Sequence, residues 1–271
     1  MRYSLLRGVL LGIYAVLIIV PLTVVVMGTF KTTPELFDSP FGLPSSVSFG
    51  NYDVVLNEQN LDQAFTNSVM VTTASVALTL FLGSLAAYGL ARTPGWKGWL
   101  IFGFLVLGMS VPAQANMIPQ YVLFNSLGLL DSRIGLVLIN LTVGLPVAVF
   151  ILGGFMKTLP KEAYEACAVD GAGPWRTYRS VIMPMSMPSV AATAIFLFVI
   201  QWNDLLYPLL FIQSEDKKTL PLALLDFQGE FLTDYPLLFT GVVIASLPII
   251  GAYVLLQRYF VAGMTAGSIK G

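Results

Sequence analysis

No Asp, Glu, Lys or Arg occurs between Arg7 and Lys31, between Asp62 and Arg92, between Lys97 and Asp131, between Arg133 and Lys157, between Arg179 and Asp204, or between Asp234 and Arg258. Each of these runs is long enough to cross a hydrocarbon core of ~30 Å, which takes about 20 residues as a helix. Only 11% of the 271 residues are charged and 56% are hydrophobic, against about 25% charged in a soluble domain. A globule of this size cannot hide that much apolar surface. The predicted class is an all-α polytopic membrane protein. A transmembrane barrel would show short alternating segments instead.

Charges bound six predicted spans, at about 8–27, 66–91, 99–121, 134–156, 184–211 and 235–257. Together they make a single transmembrane domain over 1–271. One set of connections and termini holds Arg2, Arg7, Arg92, Lys97, Lys157, Lys161, Arg176, Arg179, Arg258 and Lys270; the other holds only Lys31, Arg133, Lys217 and Lys218. The excess of positive charge marks the first set as cytoplasmic. Both termini and Cys167 then face the cytoplasm, and 31–63 lies outside. The basic start at Arg2 and Arg7 precedes an apolar run too long for a signal peptide, so it reads as a retained helix. The outer segment 29–63, with Pro34, Pro40 and Pro44, reads as irregular with a short helix near Tyr52–Leu56.

The chain has no histidine and one cysteine, and its net charge is −1. These exclude His-based catalysis, His metal sites and an internal disulfide, and they suggest no nucleic-acid partner. No catalytic or metal-ligating constellation stands out. No Gly-x4-Gly-Lys-Ser/Thr phosphate loop is present, so this chain is expected to bind no nucleotide or other cofactor itself.

The predicted cytoplasmic loop 157–183 is the most informative segment. Glu162 and Glu165 favour a first helical turn after Pro160, because acids suit the positive helix end. Gly171 and Gly173 allow a sharp turn through φ > 0. Pro174 suits the start of a second helix carrying Trp175, Arg176, Tyr178 and Arg179, and Pro184 is read as the start of span five. The run Glu165-Ala166-Cys167-Ala168-Val169-Asp170-Gly171, nine residues, then Val181-Ile182-Met183-Pro184 resembles the EAA loop of bacterial ABC importer permeases. Cys167 replaces the second Ala of that pattern, Val181 the Ile and Met183 the Leu.

The resemblance extends along the chain. Asn67-Ser68 resembles the family's signature at the start of span two. Ile118-Pro119-Gln120-Tyr121 with Leu127-Gly128-Leu129-Leu130-Asp131-Ser132 is similar to the outer end of span three in sugar-importer permeases. Trp202-Asn203-Asp204-Leu205-Leu206-Tyr207-Pro208-Leu209, Thr219-Leu220-Pro221-Leu222 and the tail from Gln257 to Gly271 resemble the carbohydrate branch. The whole is similar to the second permease of maltose-type importers.

That resemblance implies the type I ABC importer fold and import of a sugar, an oligosaccharide or a related polyol or glycerol-phosphate compound. It implies a bacterial inner-membrane complex of this chain, a second permease, two ATPase subunits holding ATP-Mg, and an extracytoplasmic solute-binding protein. Glu162, Glu165, Ala166, Asp170, Gly171, Trp175, Arg176 and Pro184 are the implied ATPase-docking residues. Gly267 and Lys270 belong to a tail directed toward the same subunit. The alternative cargo on this fold is a polyamine or phosphate. No Lys or Arg lies in mid-span, which leans toward a neutral, hydroxyl-rich cargo.

Two polar sets are candidates for the translocation path. Gln201, Trp202, Asn203, Asp204 and Tyr207 offer hydrogen bonds and aromatic faces to a sugar, and Asp204 is an acid inside an apolar stretch. The same group is compatible with bracing of helices at the outer interface. Gln114 and Asn116, with Gln120, can line a path or can satisfy backbone groups freed by Pro112 and Pro119, which are expected to break span three. Asn140 reads as an interhelical hydrogen-bonding residue.

Overall fold

The computed structural model describes residues 2–93, 95–228 and 233–268. Among these residues the chain is helical, apart from one isolated bridge between Gln228 and Thr233. Five helices are long and apolar enough to cross a membrane: Leu6–Gly28, Leu61–Ala91, Arg133–Met156, Pro174–Trp202 and Tyr235–Leu255. Two further apolar helical stretches, Trp96–Ser110 and Ala113–Ser126, form a pair bent by 89°.

The chain forms two compact units, residues 1–66 with 219–247 and residues 67–218 with 248–271. The first contains α1 (Arg2–Gly28), α2 (Thr33–Asp38), α3 (Gly50–Asp53) and the start of α4 (Leu61–Ala91). The segment after α1 is irregular in composition, yet it is tied down. Asn51 donates both amide hydrogens, to Thr29 O at 2.8 Å and Lys31 O at 3.0 Å. Tyr52 OH donates to Thr29 Oγ1 at 3.1 Å. Lys31 is the charge that ends the first apolar run, but it is not displayed to water. Its side chain is 1% exposed and its ammonium donates to Ser39 O at 2.6 Å.

The second unit carries the rest of α4, then α5 (Trp96–Leu107), α6 (Met117–Ser126), α7 (Arg133–Met156), α8 (Lys161–Val169), α9 (Pro174–Thr177), α10 (Met183–Trp202) and α11 (Leu206–Phe211). Beyond it, α12 (Leu220–Ala223) and the first part of α13 (Tyr235–Ser268) belong to the first unit. The core of the second unit joins α4, α7 and α10 through Val76, Ala87, Tyr88, Ala148, Leu152, Met156, Tyr178, Ile182 and Leu197. On α4, Ser68, Thr72, Ser75 and Thr79 are buried on one face. Small polar side chains of this kind let helices approach closely where lipid supplies no hydrophobic drive between them.

The expected break of span three is found at Pro112, whereas the readings of Pro119 and of span five are corrected. Pro112 has no N–H and pushes Val111 out of the helical region, to φ −94° and ψ 119°. Pro119 does not break the chain, because it is the third residue of α6 and its missing N–H falls in the unbonded first turn. The stretch 184–211 also divides. Its helix begins earlier, at Pro174, and runs through a π-turn at Tyr178–Ile182 into α10. The wider π register lies just before Pro184, where the ring opposes the carbonyl four residues back. Pro184 is therefore inside a continuous helix and does not start one. That helix stops at Trp202, with Asn203 turned to φ −90° and ψ 4°, and α11 starts afresh at Leu206 with Pro208 as its third residue.

Candidate functional site

The loop 157–183 folds as α8, a turn and the α9–α10 helix. α8 ends in paired backbone bonds, Gly171 N to Ala168 O at 3.1 Å and Ala172 N to Cys167 O at 2.9 Å. Those two bonds with Gly171 at φ +67° make a Schellman termination. An added Cβ at Gly171 would meet nothing within 4 Å. Glycine is thus required there by the torsion and not by crowding.

The turn is anchored from beneath by residues that loop composition does not reveal. Tyr88 OH donates to Pro174 O at 2.9 Å and accepts from Arg92 Nη1 at 2.8 Å. Ser84 Oγ and Tyr178 OH share a buried hydrogen bond of 2.8 Å. The Tyr88 and Tyr178 rings lie 5.4 Å apart, and Trp175 lies 5.4 Å from Tyr178 on the other side. Tyr164 OH donates to Met156 O at 3.3 Å and holds α8 against the end of α7. Cys167 is buried in this seat, whereas Val169 is 87% and Trp175 57% exposed. Glu162, Glu165, Ala166, Asp170, Gly171, Arg176 and Pro184 are also exposed. The outer surface of the loop is therefore an apolar patch set among charges of both signs.

A cavity of about 200 Å³ lies between α7, α10, α11 and the turn before α6, lined by Gln114, Asn140, Gly144, Gln201, Asp204 and Tyr207 among mostly apolar neighbours. A second cavity of about 400 Å³ adjoins it, sharing Ala113, Val143, Val147 and Tyr207 and adding Asn116, Gln120 and Thr142. Gln201 Nε2 donates to Asn140 O at 3.4 Å, and Tyr207 OH donates to Gln120 Oε1 at 2.9 Å. Asp204 Oδ1 accepts the Leu206 amide at 3.1 Å and so caps α11. Gln201 Oε1 and Asp204 Oδ2 are buried and have no hydrogen-bond partner among the described residues. Both residues line the cavity while these two oxygens are covered, so a hydroxyl or N–H donor reaches them only when the side chain turns.

The family of binding-protein-dependent transport system inner membrane components matches residues 79–266. The chain belongs to this family. Curated relatives match along its length. The diacetylchitobiose uptake system permease protein NgcG of Streptomyces coelicolor is 34% identical, over 99% of this chain and 90% of its own. The multiple sugar-binding transport system permease protein MsmG of Streptococcus mutans is 33% identical, over 97% and 96%. The trehalose transport system permease protein SugB of Mycobacterium tuberculosis is 31% identical, over 90% and 89%. Among solved structures, a chain of a bacterial ABC transporter involved in import of the acidic polysaccharide alginate superposes with a TM-score of 0.85 at 20% identity, covering 96% of both chains. The fold is that of type I ABC importer permeases, and the chain is a multi-pass membrane protein.

Within this permease the expected path residues separate. Gln114, Gln201, Asp204 and Tyr207 meet at the first cavity, and Asn116 lines the second. Trp202 does not reach either: it is 2% exposed and stacks on Phe198 at 5.5 Å. Asn203 is exposed and donates to Val199 O at 2.8 Å, turned back on its own helix. Asn140 and Gly144 were not among the expected path residues. Their only sequence signal was polarity and small size in an apolar run. Of the tail residues, Gly267 lies in the last turns of α13, and Lys270 lies outside the described residues.

Proposed function

We propose that this chain is one of two permease subunits of a binding-protein-dependent importer and forms, with a second and unlike permease, the path for a sugar across a bacterial inner membrane. Two separate ATPase subunits bind and hydrolyse ATP-Mg, and an extracytoplasmic binding protein delivers the cargo. In this reading both termini and the loop 157–183 face the cytoplasm. The exposed patch of Ala166, Val169 and Trp175, with Glu162, Glu165, Asp170 and Arg176 around it, is the ATPase-docking surface. Nucleotide-driven displacement of the loop is carried to the membrane without an intervening joint, because α9 continues into α10, the helix that bears Gln201.

The observation that carries the cargo class is the pair of unpartnered acceptors, Gln201 Oε1 and Asp204 Oδ2, on residues of a mostly apolar cavity that Gln114, Asn140 and Tyr207 also line. A sugar ring offers C–H faces to such walls and hydroxyl donors to such acceptors. The names of the relatives, which refer to diacetylchitobiose, trehalose and multiple sugars, support the same class. The test is uptake by the assembled transporter in lipid discs with a panel of labelled oligosaccharides. Gln201→Leu removes the Oε1 acceptor together with the Nε2 donor to Asn140 O. It is expected to lower sugar uptake at least several-fold while complex assembly stays normal. Uptake of every sugar at the wild-type rate by Gln201→Leu would remove the cavity from the path, and uptake of a polyamine or phosphate in place of any sugar would overturn the cargo class.

A further inference from the structure

Two motifs have no part in the docking loop or the cavity: Asn67-Ser68, and the Leu127–Ser132 turn. They meet on one strap, residues 213–218, which directly follows α11. Asp131 grips the strap with both carboxylate oxygens. Oδ1 accepts the amides of Gln213 at 3.0 Å and Ser214 at 2.9 Å. Oδ2 accepts Ser214 Oγ at 2.5 Å and Lys217 Nζ at 2.7 Å. The Asp131 main chain joins in, its amide donating to Phe211 O at 2.7 Å and its carbonyl accepting Lys217 Nζ at 2.8 Å. Arg133 Nη2 donates to Asp216 O at 3.1 Å. On the far side Asn67, 1% exposed, spends both amide hydrogens on Asp216 O at 3.0 Å and Lys218 O at 2.9 Å.

The geometry is specific. Asp131 holds φ at +49°, a left-handed conformation uncommon for a residue with a side chain. Such a torsion persists only when surrounding contacts over-determine it, and here the carboxylate contacts do so. Asn67 and Lys218 are the first and last residues of the segment 67–218 that makes up most of the second unit, so the strap closes that segment on itself.

The strap also governs α11. Six residues are far too few for a helix that stands alone. The position of α11 is therefore set by its tertiary contacts, at its two ends and along the face that buries Tyr207 and Phe211. Asp204 caps its start, and Asp131 holds its end through Phe211 O and the strap. Phe211, fully buried, lies 5.0 Å from Phe124 and 5.9 Å from Tyr207, one turn back. Tyr207 lines the cavity from α11 itself, and Asp204 lines it from just before the start of that helix.

We propose that Asp131 and Asn67 are positioning residues for cargo passage: together they latch the strap 213–218 and so fix α11, Tyr207 and Asp204 at the cavity. This rests on the cavity lying on the sugar path. The test uses the complete transporter, with partner permease, ATPase subunits and binding protein, in lipid discs. Asp131→Gly removes the carboxylate without straining the +49° torsion. Asp131→Asn keeps an oxygen for the two amides but loses the charge on Lys217, and it serves as the measured variant where Asp131→Gly does not assemble. Asn67→Ala opens the other side. Amide exchange at 212–214 is expected to rise at least tenfold in Asp131→Gly and less in Asp131→Asn; unchanged exchange overturns the latch. The KM for cargo-loaded binding protein is expected to shift several-fold in the same order, with ATP hydrolysis in the absence of binding protein unaltered. Faster exchange with a wild-type KM, while Gln201→Leu still impairs uptake, overturns the positioning role and leaves the cavity on the path. Wild-type uptake by both Gln201→Leu and Asp131→Gly despite faster exchange means that the cavity reading has failed, and the positioning role falls with it. Faster exchange together with a shifted KM, reverting toward wild type in Asp131→Asn, supports the proposal.

Discussion

Substitution of Gly171 separates two explanations of why the loop 157–183, the proposed docking surface, contains glycine. A residue with a Cβ in the left-handed region is strained by about 1–2 kcal/mol, and 1.4 kcal/mol is a factor of ten in a population. At φ +67° with no atom within 4 Å of an added Cβ, the whole penalty at Gly171 is torsional. Gly171→Ala is therefore expected to lower the population of the native turn roughly 5- to 30-fold relative to its alternatives. Asn tolerates this region better than Ala because its amide bonds locally. The expected order of function is Gly, then Asn, then Ala, then Val, although Asn is larger than Ala. The assay is uptake and binding-protein-stimulated ATP hydrolysis by purified complex, with co-purification of the ATPase subunits as the measure of docking. An order that followed side-chain size, with Ala better than Asn, would refute the torsional argument. Normal docking and coupling in all three variants would refute a role for this turn in coupling.

Three other perturbations give defined outcomes. Gly144→Ala puts a Cβ 3.1 Å from Gln201 Nε2 and 3.2 Å from Thr79 Cγ2; overpacking of this kind costs about 1–3 kcal/mol, so uptake and thermal midpoint are both expected to fall, and an unchanged thermal midpoint would show that the wall yields freely. Lys217, Ser214 and the amides of Ser214 and Gln213 hold the Asp131 carboxyl far below the usual carboxylate range. Because that pKa is depressed on folding, its stabilisation is complete above the unfolded value of about 3.9 and is lost as pH falls toward the folded one. The difference in thermal midpoint between the wild type and Asp131→Asn should then be flat from pH 8 to pH 5 and narrow only below about pH 4; narrowing near neutrality would refute the assignment. For orientation, Cys167 is buried and a poor target for labelling, so Val169→Cys in a Cys167→Ser background, expressed without the ATPase subunits, is the suitable reporter. It should react with an impermeant thiol reagent in inverted vesicles and not in intact cells.

The membrane class and the glycine turn at Gly171 were legible in the sequence because each rests on local physics. An uncharged run of about 20 residues has one stable solution in lipid. A Gly two residues beyond a short helix has one economical conformation, and Gly171 adopts it. Prolines were read less well, since their effect depends on register. Pro112 breaks a span, Pro119 is harmless three residues into a helix, and Pro184 is absorbed by a π-turn that no local pattern announces. The site was only half legible. Gln201, Asp204 and Tyr207 were visible as polar residues in an apolar run, but α10 turns Trp202 into the core and Asn203 away from the cavity, and that rotation is set by contacts with α7. The seat of the loop 157–183 is formed by Ser84 and Tyr88 of α4 and by Arg92 just past its end, with Tyr88 lying 86 residues before Pro174 and Ser84 lying 94 residues before Tyr178. Asn67, Asp131 and the strap at 213–218 are likewise distant in the chain. Composition and spacing determined what must lie in the membrane; only the tertiary structure decided which polar groups find one another there, because a hydrogen bond between distant segments depends on the path of every helix between them.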